Sequence, residues 1–514
     1  VTGDQHQQKA ELEYDADGNV TKTTARDLKT SDDPRVTTMT YDDRNRLAST
    51  VDADGKESQQ GYDDAGNRTW SEDANGNRFE YKYSDLNMLT EVWDMNLPAD
   101  PDNPPVDGPR EGIDYAVRSK TQYDDAGRKR AEVDAMGRLV TYDYNFDDTL
   151  KTKTLAGFHD PTGATHPYVL EDDTYDGAGN RVKAVTDNGM STTTYTIDAL
   201  GRVSTQVVDP DGLKRTTTYT HDLAGNVTRE DDTGGWSNAL LAGPTTVTDT
   251  TDFVFDAAGR RVSQTVQNTS GAMTTSWTYD QRGLETSMTT PRGNASGAVK
   301  ADFTTAYVND EIGRLIKTVA PKVKAEHDGG TPADVQPTAM VGYGAFGQAT
   351  SSKDALGNVT KSSFDNLGRT TEVSAPSYTP PGGSAVTPKT SFSYDAVGNL
   401  LQQVDERGNA TKFTYDHLNQ QVQVDAPGTT NDERAVTKIT YTADGDVEST
   451  TDPLGAVKQY TYDDLDRVVT STDVERKPTA ANFVTRLTYD DMDNVVNAQS
   501  PSGAVAQSSY DTAS

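Results

Sequence analysis

Apolar residues in this chain seldom run together. They alternate with Thr, Ser, Gln and charged residues, as in "RVSTQVVD" from Arg202 and "TTEVSA" from Thr370. A period of two over six or seven residues predicts strands, each showing one face to either side. No segment sustains the 3.6-residue period of a helix. The strands are punctuated by a turn of the form Tyr-Asp-x-x-Gly, as in "YDDAGNR" from Tyr62. A simpler turn, Asp-x-x-Gly, lies halfway between: Asp52 to Gly55, Asp73 to Gly76, Asp134 to Gly137, Asp354 to Gly357, Asp405 to Gly408 and Asp452 to Gly455. From Tyr41 to Asp52 is 11 residues and from Asp52 to Tyr62 is 10. Each half is therefore one turn and one strand of ordinary length.

Twenty units stand in this phase. They begin at Tyr14, Tyr41, Tyr62, Tyr83, Tyr123, Tyr144, Tyr175, Ile197, His221, Phe255, Tyr279, Asn309, Tyr343, Phe364, Tyr394, Tyr415, Tyr441, Tyr462, Tyr489 and Tyr510. A spacing of 21 recurs, as between Tyr41 and Tyr62 or Tyr394 and Tyr415. The fifth position is Gly thirteen times; otherwise it is Asn45, Asn87, Asn419, Asp148, Asp466 or Asp493, with Ser514 at the chain end. These residue types tolerate a left-handed backbone, which a hairpin loop built on a type I turn needs at its end. Asp at the second position can accept bonds from backbone N–H groups further on. The column reflects a backbone angle rather than a reaction.

In a meander, successive turns fall on opposite edges, so tyrosine turns line one edge and halfway turns the other. Pro- and Gly-rich insertions sit near 94–118, 155–172, 232–250, 319–340 and 374–390; those after Trp93, Leu155, Val319 and Ser374 start where a halfway turn is due. From Tyr343 onward, spacings of 21 alternate with longer ones, giving a higher period of 47 or 48. This predicts that one loop in two on the halfway edge touches a neighbouring coil of sheet. Tyrosines of adjacent units sit two strands apart, roughly 9.6 Å, too far for a stacked ladder. Each ring is expected to pack across its own hairpin with its hydroxyl bonded locally.

Composition then shapes the object. Val, Leu, Ile and Phe make up 84 of 514 residues and the net charge is −32, too little apolar matter for a thick core. Roughly forty strands at about 4.8 Å apart make a sheet roughly 190 Å long, which twist must coil. A wide spiral with a lumen satisfies both facts. The acidic balance argues against nucleic acid and against an anionic membrane surface. No Cys is present, so disulfides and thiolate metal sites are excluded. No stretch approaches a membrane span, and "VTGDQHQQKA" has no signal-peptide pattern. Both ends look cut from a longer chain.

"YDDAGNR" (Tyr62 to Arg68), "YDDAGRKR" (Tyr123 to Arg130), "FDAAGRRV" (Phe255 to Val262), "FDNLGRTTEV" (Phe364 to Val373) and "YDAVGNLL" (Tyr394 to Leu401) resemble the YD-repeat, or Rhs, family. The resemblance covers nearly all of 1–514 as a single region. It implies an all-β fold: a long antiparallel hairpin meander coiled into a hollow spiral shell. Relatives include bacterial polymorphic toxins, insecticidal toxin complexes and teneurin-like surface proteins; in the toxins the shell encloses a C-terminal effector. Those members also carry an Asp-Pro-x-Gly segment linked to aspartyl self-cleavage. Asp452-Pro453-Leu454-Gly455 matches it superficially, but sits in the ordinary halfway phase with repeats continuing beyond it.

No reaction centre is expected. The six His (His6, His159, His166, His221, His327, His417) have no metal-ligand spacing, and no nucleophile elbow occurs. "DADGN" (Asp15 to Asn19), "DADGK" (Asp52 to Lys56) and "YTADGDVE" (Tyr441 to Glu448) are faintly like calcium loops but lack the later ligands. The expectation is thus a non-enzymatic shell with no catalytic, cofactor-binding or metal residues and no cofactor. It would be secreted or at the cell surface, would not insert into a membrane, and would have an encapsulated polypeptide (a toxin) or delivery machinery as partner. The alternative is a surface adhesin or filament module binding glycans or proteins through its long loops. A wall-associated hydrolase is the least favoured class.

Overall fold

The computed structural model describes residues 8–28, 33–95, 117–236, 245–268, 271–326, 331–428, 434–475 and 481–510. Of the segments expected to carry insertions, 96–116, 237–244 and 327–330 lie outside the described residues, as does the final turn after Tyr510.

The alternating pattern becomes strands almost everywhere. They are numbered β1 (Gln8–Tyr14) to β41 (Val505–Gln507) in chain order. Thirty-nine form one antiparallel sheet, each strand pairing with its neighbours in sequence; only β25 (Val323–Ala325) and β26 (Ala333–Val335) stand apart as a two-stranded ribbon. The sheet is not closed. Among the described residues, helix is limited to short pieces such as Pro291–Asn294.

The two edges differ in one backbone feature. Strand pairs joined by a tyrosine turn carry a register shift beside it, as at Gly61/Tyr62, Val254/Phe255 and Thr488/Tyr489. Pairs joined across the halfway edge are regular, for example Ser49↔Gln59 to Val51↔Glu57. The exceptions are β8 (Leu89–Asp94) with β9 (Val117–Tyr123), and β12 (Leu150–His159) with β13 (Thr165–Tyr175). A bulge adds local twist and bend. Repeated on one edge, it curves the sheet in a constant sense.

The curvature brings the chain back onto itself. Side chains on the halfway edge between Arg35 and Asn188 meet tyrosine turns that lie 303 to 330 residues further on. The sheet is therefore a hollow spiral, one sheet thick, with a seam where one coil rests on the next. The few buried apolar side chains gather near that seam. Trp93 and Val117 form one cluster, flanked by Met95. Leu155, Phe158 and Tyr168 form the other, with Val140, Leu170 and Leu465 against it. Leu465 belongs to the second coil. A chain poor in large apolar residues has thus concentrated them where two coils touch.

Candidate functional site

The site these strands build is mechanical: the tyrosine-turn edge and the seam made from it. Its unit is a hairpin loop held by the second-position Asp. At Asp63, the backbone N–H bonds the Asn67 carbonyl at 3.0 Å and the Gly66 N–H bonds the Asp63 carbonyl at 3.2 Å. The Asp63 carboxylate accepts the Asn67 N–H at 2.8 Å and the Asn67 side-chain amide at 2.8 Å. The fifth residue is left-handed whatever its type, with φ of 95° at Gly66, 60° at Asn45 and 66° at Asp148. Where the sixth residue is Arg, its guanidinium replaces the amide. Arg46 bonds Asp42 at 2.8 Å and pulls that carboxyl down to about 2; Arg202 does the same to Asp198.

The sixth residue also links units. Arg46 donates to the Asp63 carbonyl of the next turn at 2.6 Å and lies over the Tyr62 ring at 4.6 Å. Arg260 repeats both contacts with Asp280 and Tyr279, and Arg467 with Asp490 and Tyr489. Five of the six non-glycine fifth residues before the chain end receive a matching donor from the preceding unit. Asn19, Asn67 and Asn399 donate to Asn45, Asn87 and Asn419 at 3.0, 2.9 and 2.7 Å. Arg128 and Arg467 reach Asp148 and Asp493 at 2.6 and 2.9 Å.

The tyrosines overturn one expectation. Most of their hydroxyls reach beyond their own hairpin. Tyr41 donates to the Val20 carbonyl at 2.9 Å, Tyr144 to Lys129 at 2.8 Å, Tyr394 to Thr370 at 2.9 Å and Tyr489 to Val468 at 2.8 Å. In each of these the acceptor is the residue six places after the start of the preceding unit; Tyr175 instead donates to the Asp173 carboxylate of its own strand at 3.1 Å. Asn309, standing where Tyr is usual, makes the equivalent bond to Glu285 at 3.1 Å. The length of a Tyr side chain spans the two-strand gap that excludes ring stacking. It ties successive hairpins together, and the polar tip finds the acceptor it needs.

Across the seam the contacts are different in kind. Arg35 covers the Phe346 ring at 4.0 Å, Asp54 pairs with Arg369 at 2.7 Å, and Asn75 bonds Asp395 at 3.0 Å. His417 bonds the buried Asp94 at 2.7 Å, and Arg118 donates to the Ala443 carbonyl. Arg138 bridges Asp134 on its own turn to Asp444 and Asp466 of the next coil. Burial alone would lower the Arg138 pKa, but Asp466 and Asp134 outweigh it and hold the guanidinium charged. His159 meets Asp464 at 2.8 Å, and Tyr168 donates to the Asp491 carbonyl at 2.6 Å.

This arrangement corrects the loop-alternation expectation. Among the described residues of 343–493 it is the tyrosine turns, not alternate halfway loops, that face a neighbouring coil. On the first coil's halfway edge, short turns (Asp54, Asn75, Arg138) and the long β12–β13 hairpin (His159, Tyr168) both make contact. Loop length does not sort the contacts.

What the sequence reading missed is the fourth position of the tyrosine turn. In the seamed units it is Phe346, Leu367, Val397, Leu418, Asp444, Leu465 and Met492, large and apolar apart from Asp444. In the earlier units Asp17, Arg44, Ala65, Ala126, Ala178 and Ala258 are typical, and all are exposed. The signal was visible as a change in one column, but only a structure says what it faces.

The residues weighed for other chemistry fall into turn roles. The Asp15 and Asp52 carboxylates accept backbone N–H groups of their own loops. Asp452 does the same for Leu454 and Ala456, at 2.9 and 2.8 Å. Among the described residues no group of three or more His, Asp or Glu is placed to hold a metal ion, and no helix is long and apolar enough to cross a membrane.

A single antiparallel sheet, wound into a spiral from one repeated hairpin, defines a β-repeat shell protein. The RHS repeat family model matches residues 41–69, 175–214, 394–430 and 441–477, each segment opening on a tyrosine of the turn phase. Repeats of the RHS family are thus found at four places along the chain. No curated protein matches the sequence. Crystal structures of TcdB2-TccC3-TEV and TcdB2-TccC3 align with 97% and 98% of this chain, at 12% and 13% identity and a TM-score of 0.36 in both cases. They are covered over 36% and 34% of their own chains, so this chain spans about a third of their length. A porin-like protein from Bacteroides uniformis aligns with 57% of this chain, at 11% identity and a TM-score of 0.13. Overlaps this loose carry no argument; the fold rests on the strand pairings themselves.

Proposed function

We propose that this chain is the wall of a non-enzymatic container that encloses a polypeptide, such as a toxin, for secretion or delivery. One observation supports this most directly: the coil returns onto itself with side chains interlocked along a seam, which closes a wall without filling its interior. A sheet built only to display loops would not need successive coils to bond. The carboxylates of Asp15, Asp52 and Asp452 hold their own turns, which fits a structural role. A net charge of −32 disfavours nucleic acid as cargo and suits a cationic or neutral polypeptide. The setting is secreted or cell-surface, and delivery machinery is the second class of partner.

The test is electron microscopy of the full-length native protein, joined to limited proteolysis. Extra density inside the spiral, and a segment that resists protease until the wall is cut, is the expected result. An empty lumen with every segment cleaved at the same rate overturns it. The adhesin reading draws on one feature: the free halfway edge carries the β25–β26 ribbon and a bridge between Tyr378 and Val386, with Tyr378 exposed. Binding of glycans or surface proteins that is lost on deleting 376–387 would favour it.

A further inference from the structure

The bonds within a coil and the bonds between coils are not equivalent. Within a coil, every strand is joined to the next by a ladder of backbone hydrogen bonds. Between coils, each contact described above depends on at least one side chain, several of them titratable, and among the described residues no strand pairs with a strand. A shell of this design comes apart most readily along the seam, by lifting one coil from the next.

Two stretches of the seam carry its charge. In one, Asp94 at the end of β8 is 3% exposed, and the His417 imidazole, from the turn between β33 (Ala410–Tyr415) and β34 (Gln421–Pro427), reaches it. Asp416 on the same turn and Arg118 on β9 also act on His417, and Asn75, Asn77, Asp395 and Tyr415 line the adjoining cleft of about 330 Å³. In the other, Arg138 is ringed by Asp134, Asp444 and Asp466, and Asp446 stands beside Asp466.

We propose that the seam is a proton-controlled latch, closed while His417 is an imidazolium against the buried Asp94 carboxylate and loosened once it is neutral. This holds whether or not the shell encloses anything. A buried carboxylate facing a cation gains a charge-assisted bond across the seam; facing a neutral ring, it keeps that hydrogen bond but loses the attraction between charges. The bond to Asp94 raises the His417 pKa above its ordinary value, against the opposing effect of burial. A raised histidine stabilises the closed form below its ordinary pKa of about 6.5, and that contribution is lost as pH rises through the raised value. In the Arg138 stretch, burial pushes the carboxyls of Asp444 and Asp446 up, against the pull of Arg138.

The absence of Cys makes the test clean. Val117, 7% exposed beside Trp93, becomes a reporter as Val117→Cys; Ala135→Cys, at a position 6% exposed, is the second reporter should the first not fold. Alkylation by iodoacetamide is measured from about pH 6 to about pH 8.5 and divided by the rate of the urea-unfolded variant. The corrected rate is expected to rise about fivefold or more across that range, and to change less than about twofold with His417→Gln or Asp94→Asn added. Far-ultraviolet circular dichroism confirms that each variant keeps its sheet. A flat corrected rate in the reporter alone, or an undiminished rise in both added variants, overturns the proposal.

Discussion

The tyrosine turns near the start of the chain and those after Tyr343 share a backbone but have opposite surroundings. Asp42 and Asp463 hold their loops with the same set of bonds, to residues two and four places on. Yet the first turn faces solvent, and the second is pressed against the coil before it. The difference is written at the tip. Leu86, Phe146, Leu200, Leu223 and Ile312 stand out from the free rim at 70% exposure or more, scattered among Ala, Asp and Arg tips. Tips at the seam are large, apolar and half-buried for the most part. Repetition of the turn makes a strand pair; the path of the sheet decides which pairs enter an interface, and one side chain per turn suits most of them to it.

Substitutions at matched places sharpen this contrast. The largest effect is expected at Phe158, which sits in the seam cluster at 2% exposure. Phe158→Ala should cost about 3–5 kcal/mol. Phe146→Ala on the free rim should stay within about 0.5 kcal/mol. Urea unfolding followed by hydrogen exchange in β12 and β13 measures both, and equal costs would erase the distinction. Next comes charge at the tip. Leu465→Asp should weaken the seam by about 2 kcal/mol or more, since the carboxylate meets an apolar cluster. Leu86→Asp should leave thermal unfolding unchanged.

The loop itself should not distinguish the rims. Gly66 and Gly398 have φ of 95° and 104° with open space where a Cβ would go, so only the backbone angle is at issue. Gly→Val at either should cost roughly 1–2 kcal/mol, and Gly→Asn distinctly less. A large gap between the two sites in thermal melts would show that the seam strains the loop. Smaller still is the inter-unit tie: Tyr41→Phe and Tyr489→Phe should each cost about 1 kcal/mol in chemical denaturation.

Acid separates the regions by sign. The Asp42 carboxyl, held at about 2 by Arg46, supports its turn above the ordinary range near pH 4 and loses that support as pH falls through 2. Asp444, raised above its ordinary value by burial, takes up its proton before Asp42 does and is relieved by it. Hydrogen exchange between about pH 4 and pH 2 should therefore loosen residues 42–46 before 441–446. Simultaneous loosening would mean that the turns share one titration.

Much of this was legible beforehand. Period two gave the strands, and Gly, Asn or Asp in one column gave the left-handed residue. A poverty of Leu, Ile and Phe gave a wall without a filled core. The roles of Tyr and Arg were not legible, because reaching back two strands depends on side-chain length against sheet spacing rather than on neighbours in sequence. Arg138 shows the limit well. It stands in an ordinary halfway turn, and nothing near it in the chain indicates that it will hold Asp466, 328 residues away.

The amino-acid order by itself determined the hairpin, its left-handed corner and the alternation of its faces, since each depends on a handful of consecutive residues. Only the tertiary structure decided which turns meet. That pairing follows from small bends, one beside each tyrosine turn, summed over roughly three hundred residues. A slight change in any of them moves the landing point of the next coil, so no local pattern can specify it.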